Sequence, residues 1–225
     1  MISLILADAE IERVPPSGPE GSPLPRIYGA EDAELGGVIV LDSYIHRHLL
    51  EGLEGAARRG RPDIAHSFLL LAQGSRACRE GRLRCYIHTR GDEVVFVGGA
   101  YRPDPNYLSF LLSFGKLIDS GAIGAGEDGL RLERDMDLRT LIGLLKADKI
   151  VALTPSGLKH DLSEVLLPSI DEHLAIIIGG FPEGDYQSPV YEMADYKVSL
   201  GDELLTVPDV TSRVLASMPD YQPRS

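Results

Sequence analysis

The run Arg58-Arg-Gly-Arg-Pro-Asp-Ile64 packs three arginines into four positions, with an acid two residues after the last of them. Guanidinium groups hold phosphates and base edges through paired N–H donors, so this is the chemistry of anion or nucleic-acid recognition. Arg61 precedes Pro62, and a residue before proline is pushed out of helical conformation, which frees its side chain to project. Asp63 is spaced to brace that guanidinium with a charge-assisted pair. The plain alternative is a charge pair at a helix start with no ligand.

A second stretch, Leu174-Ala-Ile-Ile-Ile-Gly-Gly-Phe-Pro-Glu-Gly-Asp185, carries a different chemistry. An apolar run this short is a strand buried on both faces. The glycines after it let the backbone approach a ligand closely. Lys149-Ile-Val-Ala-Leu-Thr-Pro-Ser-Gly157 and Tyr196-Lys-Val-Ser-Leu-Gly201 repeat the design of a short strand running into a loop. Strands that each end in such a loop predict one pocket at their ends. Phosphate is a poor occupant, because no basic residue lies between Gly179 and Tyr196. The dinucleotide fingerprint G-x-G-x-x-G, the triphosphate loop G-x-x-x-x-G-K-[ST], the G-x-S-x-G elbow and H-E-x-x-H are all absent. His46 and His48 lie two apart on a predicted helix and so on different faces, which fits no metal site. The loops are built to hold a pre-activated cofactor by shape and backbone contact.

The elements that carry these stretches alternate along the chain. Ile2–Ala7, Val38–Leu41, Leu83–Thr89 and Val94–Val97 read as strands, with Leu83, Cys85 and Ile87 facing inward. A helix capped by Asp42 is expected to carry Ile45, Leu49, Leu53 and Ala56 and to stop at Gly60. Others are expected from Pro62, from Asp104-Pro105 to Gly121, over Asp137–Ala147, around Leu162–Leu167 and from Pro208 to Met218. Residues 14–25 form a proline- and glycine-rich loop. No internal repeat or linker divides the 225 residues, so a single domain over 1–225 is expected, of α/β class with a largely parallel sheet.

Composition narrows the setting. The two cysteines, Cys78 and Cys85, make neither a disulfide framework nor a metal site, and a reducing interior fits. The apolar start is too short for a signal peptide and no stretch is long enough for a membrane helix, so a cytoplasmic protein is expected, with no membrane and no metal. Net charge is −12, yet it is unevenly spread. Arg58 to Arg90 holds eight arginines against Asp63 and Glu80, while His160 to the end holds three basic residues against twelve acidic ones. A phosphate feels the local field within a Debye length of about 8–10 Å, so the basic stretch is a candidate nucleic-acid face.

Together, Arg-Gly-Arg-Pro-Asp, Cys85-Tyr-Ile-His-Thr89, Ile178-Gly-Gly-Phe-Pro-Glu-Gly-Asp185 and Val198-Ser-Leu200 resemble the archaeal branch of the SPOUT-class methyltransferases that act on N1 of a pseudouridine in small-subunit ribosomal RNA. The likeness runs from Leu6-Ala-Asp-Ala-Glu10 to the final helix. It implies a mostly parallel sheet flanked by helices with a C-terminal trefoil knot, and a homodimer. It also implies S-adenosyl-L-methionine held by Thr154, Ile178, Gly179, Gly184, Val198, Ser199, Leu200, Gly201 and Leu204. RNA contact falls to Arg61, braced by Asp63, and to Arg102, with a ribosomal RNA hairpin as partner. No catalytic base is assigned. Asp63, paired with Arg61, is better suited to bracing than to taking a proton, and the Asp185 carboxylate to capping its loop.

One motif departs from the family. Its pattern Arg-x-Pro-Arg-x-Tyr-x-Arg-Phe reads here Arg102-Pro-Asp-Pro-Asn-Tyr-Leu-Ser-Phe110, so two of its arginines face Pro105 and Ser109. Losing two phosphate contacts predicts weaker, less salt-sensitive RNA binding. Either Arg58, Arg59 and Arg90 compensate, or the target or activity has drifted. Two other readings therefore stand beside the methyltransferase: a non-catalytic ribosome-assembly factor on the same fold, and a small-molecule-binding α/β domain or oxidoreductase.

Overall fold

The computed structural model describes residues 1–14, 38–159, 162, 165 and 172–218. An eight-stranded sheet runs through the molecule. In chain order its strands are β1 (Ile2–Ala9), β2 (Leu83–Thr89), β3 (Val94–Val97), β4 (Ala122–Ile123), β5 (Leu130–Glu133), β6 (Lys149–Lys159), β7 (Leu174–Gly179) and β8 (Tyr196–Ser199). They lie in the order β4-β5-β3-β2-β1-β7-β6-β8.

The pairings divide the sheet. β1 with β2 and β7, and β6 with β7 and β8, are parallel. β2–β3, β3–β5 and β4–β5 are antiparallel. The expected largely parallel sheet is thus parallel from β2 through β1, β7 and β6 to β8, and antiparallel from β2 out to β4. The tight turn at Arg90–Glu93 returns β3 beside β2 with no crossover, and a two-strand hairpin is antiparallel by construction.

Helices cover both faces. α2 (Pro62–Gly74), the short α3 (Arg76–Arg79), α4 (Tyr107–Ser120) and α7 (Val207–Ser217) pack on one side, and α5 (Leu138–Leu145) with the short α6 (Val190–Met193) on the other. Leu4, Leu6, Ile176 and Ile178 enter the first core, and Ile5, Ala7, Ala175 and Ile177 the second. That alternation makes β1 and β7 strands buried on both faces, as their unbroken apolar runs predict. α2 begins with Pro62 and Asp63 in its first turn, and α4 ends at Gly121 in the left-handed conformation, both as expected. Cys78 and Cys85 are buried and free.

Two expected elements differ. Val38–Leu41 is no strand: it makes a single antiparallel bridge, Val40 to Arg13. The helix expected from Asp42 to Gly60 shrinks to one turn, α1 (Arg47–Leu50). Gly52 and Gly55 take positive φ, so the chain turns where the helix should have continued, and Gly60 takes positive φ at the expected stop. Asp42 still caps, accepting from Tyr44 N (2.8 Å) and Ile45 N (2.9 Å), but it caps a turn. In α2 and α4 the packing falls to Leu69, Phe110 and Phe114, while Leu71 is half-buried and Leu108 exposed. The loop at 14–25, beyond Val14, and most of the piece around Leu162–Leu167 lie outside the described residues.

Candidate functional site

At the C-terminal ends of β6, β7 and β8 the chain encloses a cavity of about 640 Å³. Ligands of open α/β sheets sit at this end of the strands, and the volume suits a molecule of cofactor size. Thr154, Ile178, Gly179, Gly184, Val198, Ser199, Leu200, Gly201 and Leu204 all line it, as do Arg61 and Asp63. Arg102 does not; it is exposed, and its Nη1 donates to the carbonyls of Tyr101 (2.7 Å) and Gly99 (3.3 Å).

Each wall has a local cause. Leu153 and Leu158 both pair with Val198, so residues 154–157 arch out of β6 and turn Thr154 and Pro155 toward the cavity. Gly157 makes this possible, since a Cβ there would stand 2.6 Å from the Val198 carbonyl carbon. Gly180 sits equally close to β1, with a virtual Cβ 2.7 Å from Ala9 Cα. At Gly184 the backbone has φ +82°, a conformation that favours glycine.

Tyrosine hydroxyls stitch the loops after β6 and β7 together. Tyr186 donates to the carbonyls of Leu153 (2.8 Å) and Ile177 (3.3 Å). Tyr191 donates to Asp185 Oδ1 at 2.6 Å and shares a hydrogen bond with Thr154 Oγ1 at 2.9 Å. Burial pushes both phenols up, so they stay protonated donors at neutral pH. From the far side Asp8, in the left-handed region at φ +52°, accepts from Gln187 N (2.7 Å), Ser188 N (3.0 Å) and Ser188 Oγ (2.5 Å). Of these residues Asp8, Tyr186, Ser188 and Tyr191 did not stand out in the sequence, whereas Thr154 and Asp185 did. The available signals were the aromatic spacing Phe181, Tyr186, Tyr191 after the glycines, and an aspartate inside the apolar run of β1.

At the rim Arg61 makes the fork predicted for it: Nε to Asp63 Oδ1 and Nη2 to Oδ2, both 2.8 Å. Asp63 thereby raises the arginine pKa further, and Tyr107 and Asp42 add smaller attractions. Both partners are about one-third to one-half exposed, so the guanidinium edge is open to a ligand. Its neighbours are not. Arg58 Nε binds the fully buried Glu10 at 2.5 Å, Arg59 forks onto Glu12, and Arg90 lies 3.4 Å from both carboxylates. Burial pushes the Glu10 carboxyl up, against the pull of Arg58 and Arg90. Arg76 and Arg82 share Glu80, and Arg84 pairs with Glu127. The basic segment is largely neutralised in space, and Arg58, Arg59 and Arg90 are poorly placed to replace the arginines absent at 105 and 109.

The motif around Arg102 divides as well. The Tyr107 hydroxyl donates to Asp42 Oδ2, and Phe110 is fully buried, its ring 4.5 Å from that of His66. These two hold α4 against α2. Pro105 is exposed beside the helix start and Ser109, half-buried, lies in its first turn. Among the described residues no cluster of three or more His, Cys, Asp or Glu side chains could hold a metal ion, and no helix is long and apolar enough to cross a membrane.

An S-adenosyl group fits this cavity chemically. Its apolar and backbone-lined walls suit an adenosine moiety, and the carboxylates of Glu183, Asp185 and Glu203 face a cavity whose one basic lining residue is Arg61. A sulfonium cation is welcome there.

Comparison with known proteins points the same way. The curated "Ribosomal RNA small subunit methyltransferase Nep1" of Methanothrix thermoacetophila is 34% identical over 221 residues, covering 98% of this chain and 96% of that protein. The protein of the same name from Thermococcus kodakarensis is 36% identical over 224 residues, covering 96% and 97%. The crystal structure of Archaeoglobus fulgidus Nep1 bound to S-adenosylhomocysteine superposes with a TM-score of 0.77 at 28% identity, covering 96% of this chain and 95% of that one. The profile of the EMG1/NEP1 methyltransferase family matches residues 4–219, and the chain belongs to that family.

Proposed function

We propose that this protein transfers the methyl group of S-adenosyl-L-methionine to N1 of a pseudouridine in a small-subunit ribosomal RNA hairpin, as a step in ribosome biogenesis. One observation carries the reading. The loops after β6, β7 and β8, far apart in sequence, line a single cavity with Arg61 and Asp63 at its rim. A named relative of the same fold is a crystal structure with S-adenosylhomocysteine bound.

The cofactor, when bound, supplies an already activated methyl group. The chain therefore has mainly to position and to exclude water. Thr154, Ile178, Gly179, Gly184, Val198, Ser199, Leu200, Gly201 and Leu204 are the proposed cofactor contacts. The Tyr186 and Tyr191 hydroxyls keep the loops after β6 and β7 in register. Alignment of two reactants in such a site supplies about 7–11 kcal/mol of a barrier. Arg61, oriented by Asp63, is the proposed RNA contact at the mouth. Its remaining donors point a phosphate or base edge at the cavity, and a looped-out nucleotide reaches the methyl group most cheaply. Asp63 has both oxygens committed to Arg61, which suits bracing rather than proton transfer. Arg102, outside the cavity and exposed, belongs to a more distant part of the RNA footprint.

A single domain, a homodimer, the C-terminal knot and a cytosolic location complete the proposal. The exposed apolar side chains of Leu158 and Tyr196, on β6 and the edge strand β8, support a partner subunit on that side. The deciding experiment supplies methyl-labelled cofactor with matched hairpins, one carrying uridine and one pseudouridine. Label is expected in the pseudouridine hairpin alone. Label in neither, with S-adenosylhomocysteine still bound, would favour the assembly factor, a reading motivated by Pro105 and Ser109.

A further inference from the structure

Arg58 and Arg59 are adjacent, both arginines are mostly buried, and each is paired with a glutamate of the β1 end. Only one of them reaches the cavity loop. Arg58 Nη1 donates to the Asp185 carbonyl at 2.6 Å, and its guanidinium lies 3.9 Å from the centre of the Phe181 ring. Gly184 lies just before Asp185, and a Cβ there would come within 3.3 Å of Nη1. The Phe181 ring meets Tyr186 edge-on at 5.4 Å, and Tyr186 meets Tyr191 in the same way at 5.6 Å. A guanidinium fixed by buried Glu10 thus anchors a ladder of three rings that ends at the hydroxyl touching Thr154.

We propose that Arg58 is a positioning residue for the cofactor loop: gripped by Glu10, it holds Phe181 and the Asp185 carbonyl so that residues 179–185 keep the shape of the cavity wall. The arginine run therefore serves two sites. Arg61 faces outward to RNA, and Arg58 faces inward to the cofactor. The assignment rests on the reading of the cavity as the S-adenosyl site. It predicts an effect on cofactor affinity from a residue that sequence alone places with the RNA contacts.

The test uses the full chain and S-adenosylhomocysteine binding by calorimetry. Arg58→Lys leaves a cation beside Glu10 and so spares the fold, but one ammonium cannot serve Glu10, the Asp185 carbonyl and the ring face together. Phe181→Leu removes the ring and keeps apolar bulk. Each is expected to weaken S-adenosylhomocysteine about tenfold, through displacement of the loop. Hairpin affinity measured without cofactor should change less than about twofold, being governed by Arg61. Arg59→Lys, in the matched pair that touches no cavity residue, should leave cofactor affinity unchanged. Wild-type affinity in both Arg58→Lys and Phe181→Leu would overturn the proposal. So would an equal loss in Arg59→Lys, which would mean that general loosening of the ion-pair cluster is the cause. A wild-type chain that binds no S-adenosylhomocysteine would instead defeat the reading of the cavity, and this assignment with it.

Discussion

The cavity loops and the arginine-rich segment meet at Arg58 and Arg61, and they are held in shape by different means. The loops after β6 and β7 are joined by hydroxyl hydrogen bonds from Tyr186 and Tyr191, and close glycine packing at Gly157 and Gly180 sets them against β8 and β1. The arginine segment is held by ion pairs to Glu10, Glu12, Asp63, Glu80 and Glu127. Close backbone packing carries no charge for salt to screen, whereas an exposed ion pair such as Arg61–Asp63 contributes little and weakens with salt, and a buried one such as Arg58–Glu10 is screened much less. The difference teaches that a dense run of arginines is a poor guide to a nucleic-acid face until its partners are known. The number of open guanidinium edges matters more than the number of arginines.

Variants at either region can break that contrast. The largest effect is expected from Gly157→Val. Its side chain would meet the β8 backbone, costing about 1–3 kcal/mol of stability and with it S-adenosylhomocysteine binding. Unfolding in urea and calorimetry would register both, and tolerance of the substitution would disprove close backbone packing as the source of the cavity wall. Next comes Arg61→Ala. Loss of hydrogen bonds to a charged partner is worth about 1.5–3 kcal/mol, so hairpin affinity should fall about 10- to 100-fold with cofactor affinity intact. Cofactor binding abolished instead would remove Arg61 from the RNA side.

A smaller and opposite change tests the rest of the footprint. Ser109→Arg restores a family arginine in the first turn of α4, at a cost from the helix dipole of about 0.3–1 kcal/mol. Hairpin binding should tighten severalfold at low salt, and the slope of log affinity against log salt should steepen by about 0.7. An unchanged slope would mean that this helix start does not face RNA.

The smallest expected effect is on pH dependence. His46 is fully buried, its Nδ1 accepts from Asp42 N at 2.8 Å, and burial lowers its pKa below 6.5. The neutral ring is therefore the folded form. The stability it contributes is complete above the unfolded pKa and is lost as pH falls from there through the lowered folded value. His46→Asn keeps an acceptor for Asp42 and removes the titration. The wild type should lose more stability than the variant between about pH 7.5 and pH 5.5, and parallel profiles would show that His46 does not titrate on unfolding.

Much of this molecule is written locally. β1 and β7 were legible because an unbroken apolar run has one good solution, burial on both faces. α2 was legible from Pro62 and Asp63, and the Arg61–Asp63 fork from the proline that forces Arg61 out of the helix. The nine proposed cofactor positions line one cavity because glycine-rich loops after parallel strands emerge on one side of a sheet. The helix expected after Asp42 failed for a local reason too: glycines at 52 and 55 outweigh an apolar spacing too sparse to need a helix.

What local sequence determined, then, is which segments are strands, where backbone comes close to a ligand, and which arginine is extended. Tertiary structure decided which charges remain available. Glu10 and Glu12 lie 48 and 47 residues from Arg58 and Arg59, and no spacing rule links them. Asp8 and Ser188 are 180 residues apart, yet their hydrogen bond shapes the cavity loop. Patterns of burial and turn chemistry act over a few residues and can be read along the chain. Ion pairing and hydroxyl bonding depend on which strands become neighbours, and only the order of the sheet settles that.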